Sequence, residues 1–112
     1  MLYISSYFHC VFSTKERQPL ISSQLRERLW PFLGGIARRN EMTALEIGGM
    51  LGHVHILLSL PSTLSIAKAM QLLKGGSSKW VHETFPEHRH FGWQVKYRAF
   101  SVSVSRLDET VA

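Results

Sequence analysis

Met42-Thr43-Ala44-Leu45-Glu46-Ile47-Gly48-Gly49-Met50-Leu51-Gly52-His53-Val54-His55-Ile56-Leu57-Leu58-Ser59-Leu60-Pro61 occupies the middle of the chain. Residues 42–48 and 53–60 alternate apolar and polar types, which reads as two strands. The Gly-rich connection Gly48–Gly52 joins them as a hairpin, and Pro61 ends the second. What flanks this hairpin then decides the fold.

Upstream, residues 3–12 are rich in aromatic and β-branched types and predict a strand, followed by a loop over 13–19. Leu25, Leu29, Phe32, Leu33 and Ile36 recur at the spacing of one helix face, with Ser22 or Ser23 as N-cap and Arg38-Arg39 suited to the C-terminal end of the dipole. Pro31 and Gly34-Gly35 are expected to kink or loosen that helix. Downstream, Ile66, Ala69, Met70, Leu73, Trp80 and Val81 again have helical spacing, with Gly75-Gly76 expected to interrupt the helix midway. A loop over 85–90 leads to a last strand from Trp93 to Ser103. The order β-α-β-β-α-β predicts a single α+β domain over 1–112, ferredoxin-like: a four-stranded antiparallel sheet with two helices on one face.

Composition suits such a domain. The 112 residues are 45% hydrophobic, enough for a core, and no apolar run approaches the ~20 residues of a membrane span. No signal-peptide pattern opens the chain, so a cytoplasmic protein is expected. Cys10 is the single cysteine, which excludes a disulfide scaffold and any Cys-based zinc site. Its alternation with core residues reads as a small buried hydrophobe. The net charge of +5 favours anionic partners, nucleic acid first, though the basic residues are spread along the chain.

Strand parity locates candidate chemistry. Val54, Ile56, Leu58 and Leu60 share the face that packs on the helices. His53, His55, Leu57 and Ser59 share the other, so two imidazoles project together from the side the helices leave open. Their spacing suits a shared divalent metal, Mg²⁺ or Mn²⁺. If Leu45 and Ile47 belong to the apolar face of the neighbouring strand, Glu46 points to the open side as a third ligand. The same parity turns His9 that way, while His82, His88 and His90 read as solvent-facing. Lys74-Gly75-Gly76-Ser77-Ser78-Lys79 places hydroxyls and ammonium groups where they could meet a phosphate backbone, as do Lys15 and Arg17 after the first strand. No Walker pattern is present, so no nucleotide cofactor is implied. The alternative reading of that stretch is a helix kinked for packing.

Four stretches together resemble the HUH single-strand DNA transposases of insertion sequences and their REP-associated tyrosine transposase relatives: residues 9–17, 49–58, 72–80 and 97–103. The resemblance implies a homodimer that recognises hairpins in single-stranded DNA. It implies cleavage through a covalent 5′-phosphotyrosine with rejoining elsewhere, the metal-binding pair mapping onto His53 and His55. Two departures stand out. The family usually has an acidic residue just before the first His, where this chain has Gly52. The family's nucleophilic Tyr, with a Gln four residues later, lies on a helix after the last strand. Here Ser105 and Asp108 form the cap of such a helix, which reaches Ala112 without a tyrosine. Tyr3, Tyr7 and Tyr97 lie on strands and read as packing or base-stacking residues, so the expectation is a domain that binds but does not cut. Two rivals are an RNA-recognition-like module, against which stands the absence of the Gly-aromatic run on the third strand, and a metal-free oligomerisation domain.

Overall fold

The computed structural model describes residues 5–103. The proposed cap at Ser105 and Asp108, and Tyr3, lie outside them. The elements are β1 (Ser5–Thr14), α1 (Ser23–Arg39), β2 (Thr43–Met50), β3 (His53–Pro61), α2 (Ile66–Thr84) and β4 (Trp93–Val102), with short 3₁₀ turns at Lys15–Arg17 and Pro86–His88. The strands form one antiparallel sheet in the order β2-β3-β1-β4, the ferredoxin-like arrangement. No helix among the described residues is long and apolar enough to cross a membrane.

The core lies between the sheet and the helices. Cys10 and Phe12 of β1 and Val54, Ile56, Leu58 and Leu60 of β3 meet Leu25, Leu29, Leu33 and Ile36 of α1 and Ala69, Met70, Leu73 and Val81 of α2. Ser22 caps α1, its Oγ accepting from the Leu25 amide at 3.1 Å. Ser65 does the same for α2 through the Lys68 amide.

Both helices run unbroken where the glycines predicted kinks. A glycine in a helix costs about 0.5–1 kcal/mol, whereas burying one leucine gains about 1.5–3 kcal/mol, so the buried apolar face prevails. Gly76 marks a close approach of the helices: a Cβ there would stand 3.0 Å from Ile36 Cδ1. Gly75 faces open space, with nothing within 4 Å. Gly75→Ala is therefore expected to stabilise the fold by about 0.5–1 kcal/mol. Gly76→Ala, which must displace Ile36, should gain nothing; paired thermal melts check the contrast.

The hairpin is tighter than the sequence suggested. Gly48 and Gly49 are strand residues, and only Leu51-Gly52 forms the turn. Gly49 adopts φ 157°, and a Cβ there would fall 2.3 Å from the His53 carbonyl oxygen, so no side chain fits. A bulge lies between Ala44, opposite Leu58, and Glu46, opposite Leu57. It turns Leu45 outward, 41% exposed, which corrects its expected place on the apolar face with Ile47. A second irregularity, where Phe12 pairs Tyr97 but Thr14 pairs Trp93, puts the extra residues on β4.

Candidate nucleic-acid interface

The register places the open-face residues row by row. His53 stands opposite Ser13 of β1 and Met50 of β2, His55 opposite Val11 and Gly48, and Leu57 opposite His9 and Glu46. On β4, Arg98 follows Val11 and Phe100 follows His9. The parity expectation for His53, His55, His9 and Glu46 thus holds.

The imidazoles form a short row. His9 meets His55 edge-on with ring centroids 5.5 Å apart, and the His53 and His55 rings lie 6.3 Å apart at an interplanar angle of 28°. His9, Glu46, His55 and Leu57 line a small cleft of about 100 Å³. Glu46 shares that cleft with His55 but not with His53. Among the described residues, no three His, Cys, Asp or Glu side chains are grouped so as to hold one metal ion. Glu46 is therefore not brought together with both histidines as a third ligand; the bulge at Leu45 sets it in the Leu57 row, two residues along β3 from His55.

On the other side of His53 the surface is basic. A groove of about 410 Å³ is lined by Val11, Ser13, Arg17, Gly52 and His53. It adjoins a second, of about 260 Å³, that shares Val11, Ser13 and Arg17 and adds Lys96 and Arg98. Three cations thus line one continuous depression that ends at His53. Sequence reasoning found Arg17 but missed Lys96 and Arg98. The available signal was their alternation about Tyr97 in the last strand.

Arg17 is held there by a strained, well-anchored turn. Glu16 and Arg17 have φ of 57° and 54°, left-handed values that L residues adopt at a cost. Buried Thr14 fixes the turn: its Oγ1 donates to the Gln18 carbonyl at 2.6 Å and lies 3.1 Å from the Gly52 carbonyl, which also accepts from the Thr14 amide at 2.9 Å. Ile21 N–H donates to the Leu51 carbonyl. The turn therefore seats against the hairpin turn so closely that a Cβ on Gly52 would lie 2.9 Å from the Arg17 carbonyl oxygen. A side chain at position 52, acidic or not, would crowd that carbonyl unless the turn moved. Lys15 begins the same turn and is exposed, but lines neither groove.

The α2 stretch lies elsewhere. Lys74 and Ser78 line a cleft of about 440 Å³ between α2 and β4, with Trp93 and Tyr97. Tyr97, opposite core residue Phe12, borders both this cleft and the basic groove. The Lys74 ammonium donates to the carbonyls of Gln94 and Val95, and loss of hydration lowers its pKa. Lys79 is exposed on α2. Ser77 is a correction: it is fully buried, its Oγ donating to the Leu73 carbonyl at 2.6 Å and accepting from Trp93 Nε1 at 2.9 Å. It is a strut of the core with no surface for a phosphate. The structure does not bring Lys74, Ser78 or Lys79 to the histidines.

The remaining candidates are structural. Cys10 is fully buried, and burial pushes its thiol up to about 12, so it is no nucleophile. His82 is exposed, as read from the sequence, and its Nε2 lies 2.6 Å from the Phe91 carbonyl, tying down the loop before β4.

Comparison with known proteins agrees with this architecture. Residues 3–112 match the family described as "Transposase IS200 like". The transposase of insertion sequence IS200 from Salmonella typhimurium is 30% identical over 78 residues, 70% of this chain and 51% of that protein. The ISDra2 transposase TnpA of Deinococcus radiodurans is 26% identical over 86 residues, 77% of this chain and 61% of its own length. The chain spans about half the length of the Salmonella relative. Among solved structures, a transposase-type protein from Deinococcus radiodurans R1 superposes with a TM-score of 0.80 at 22% identity, covering 98% of this chain and 87% of the other. A REP-associated tyrosine transposase bound to a REP hairpin gives 0.66 at 15% identity, covering 99% and 66%. The chain, with its ferredoxin-like sheet and paired open-face histidines, belongs to the IS200-like transposase family.

Proposed function

We propose that this domain binds single-stranded DNA carrying a hairpin and presents one phosphodiester to a divalent metal held at His53 and His55. The observation that carries the reading is the depression holding Arg17, Lys96 and Arg98, which ends at His53. Guanidinium and ammonium groups recognise a phosphate backbone without reading bases, so this surface suits a strand threaded along β4 and β1. The hairpin-bound relative of the same fold supports a hairpin as the ligand.

His53 and His55 supply two imidazole nitrogens on one strand face, and water and phosphate oxygens would supply the hard donors that Mg²⁺ or Mn²⁺ prefers. Bound there, the metal would polarise the scissile phosphate. His53 and His55 would hold that centre, and Arg17 would fix the neighbouring phosphate. The chemistry read for the family is strand cleavage and rejoining through a phosphotyrosine. Tyr7, opposite Ser59, lies four residues along β3 from the His55 row, roughly 13 Å, and Tyr97 lies on the α2 side of the sheet. Residues 5–103 therefore bind the strand without supplying its attacking group. The outer edge of β4, an end strand of the sheet, is the surface proposed for pairing with a second copy.

Titration with Mn²⁺ tests the reading. The native chain is expected to bind the ion, and His53→Ala/His55→Ala to lose that binding while keeping its melting curve. Undiminished Mn²⁺ binding by the double variant, or none by the native chain, would overturn the metal reading.

A further inference from the structure

The His55 imidazole lies across the neighbouring strand on Gly48. A Cβ built on Gly48 would stand 2.8 Å from His55 Cε1, 3.1 Å from Nε2 and 3.6 Å from Nδ1. All three contacts are with one ring, and none is with backbone. At Gly49, next along the strand, the clash is with the backbone of His53 and Val54. Gly48 thus differs in kind: its missing side chain leaves a berth for the imidazole, where Gly49 leaves room for the chain itself. His9 meets the same ring edge-on, with the two centroids 5.5 Å apart.

We infer that Gly48 is a positioning residue for His55: its bare backbone is the floor that fixes the direction of the His55 ring nitrogens on the open face. The inference rests on the metal reading for its consequence, but the berth itself is a matter of geometry. A side chain at position 48 would press its Cβ to 2.8 Å from His55 Cε1, so the ring must move and its nitrogens with it. Groups that orient a ligating imidazole typically change metal affinity by about 10–100-fold when altered. A glycine covered by a cross-strand ring could instead serve only to protect the strand. In that case alanine, with its better strand propensity, would raise the melting temperature and leave metal affinity untouched.

The test is Gly48→Ala, with Gly75→Ala as a glycine replaced far from the site. In the native protein, nuclear Overhauser contacts between the Gly48 α-protons and the His55 ring are expected. Their absence would overturn the inference whatever the metal does. Mn²⁺ affinity should fall at least tenfold in Gly48→Ala and stay unchanged in Gly75→Ala. In a His55→Ala background, Gly48→Ala should cause no further loss. If His55→Ala weakens Mn²⁺ binding while Gly48→Ala leaves it intact, the positioning role is refuted and the metal reading stands. If the native chain binds no Mn²⁺, the metal reading falls, and the ring contacts alone decide the berth.

Discussion

Replacing Arg17, Lys96 and Arg98 together with alanine is expected to weaken single-stranded DNA binding by roughly 500-fold at 50 mM salt. The estimate follows from counterion release: each phosphate neutralised on a single strand contributes about 0.7 to the slope of log affinity against log salt, about eightfold per cation at 50 mM. Three cations line the depression that ends at His53, so the native slope should exceed that of the triple variant by about 2. Each single substitution should remove about a third of the difference. Lys79→Ala, on exposed α2 away from the grooves, should change the slope little. Fluorescence anisotropy of a labelled hairpin-bearing strand between 50 and 200 mM salt reads both quantities. A triple variant with the native slope would place the strand on another surface, with the α2–β4 cleft the next to examine.

The contrast between Arg17 and its partners shows what was legible in the sequence. Alternation over residues 53–60 settled which face of β3 is buried, and with it the joint projection of His53 and His55, because a strand's period of two leaves no other arrangement once one face must be apolar. The element order was equally plain, since both helices carry an apolar stripe. Three features escaped for local reasons. The bulge at Leu45 inserts one residue into β2, and period-two counting cannot see an insertion. Lys96 and Arg98 alternate about Tyr97, but which face they share is settled only by the pairing of Arg98 with Val11 beyond the irregularity near the start of β4. The pairs Gly34-Gly35 and Gly75-Gly76 read as breaks from propensity alone, whereas tertiary burial of the leucines beside them keeps both helices continuous. Ser77 was misread for the same reason: a hydroxyl between lysines looks like a phosphate contact until the helix phase turns it to the core.

Trp93→Ala is expected to lower stability by about 3 kcal/mol, within the range for aromatic truncations and at its low end because the ring is only half buried. Trp93 joins three parts of the molecule. Its ring packs edge-on against Phe12 of the central strand at 4.7 Å and against Phe91 at 4.9 Å, and its Nε1 donates to Ser77 in α2. It also pairs with Thr14, the residue that anchors the Arg17 turn. Truncation therefore loosens β4 from both helix and sheet at the end that bears the basic groove. For a domain of this size about 3 kcal/mol corresponds to a fall in Tm of roughly 12–24 °C. Ser77→Ala should cost less, about 1–3 kcal/mol, because it leaves the indole N–H without its acceptor but keeps the ring in place. The two substitutions share one hydrogen bond, so their combined cost should fall short of their sum. Thermal melts of the two single variants and the double variant measure that shortfall. Strict additivity would show that the Trp93–Ser77 hydrogen bond couples nothing, and a Trp93→Ala protein melting within 4 °C of the native one would show that β4 is held to the core without this ring.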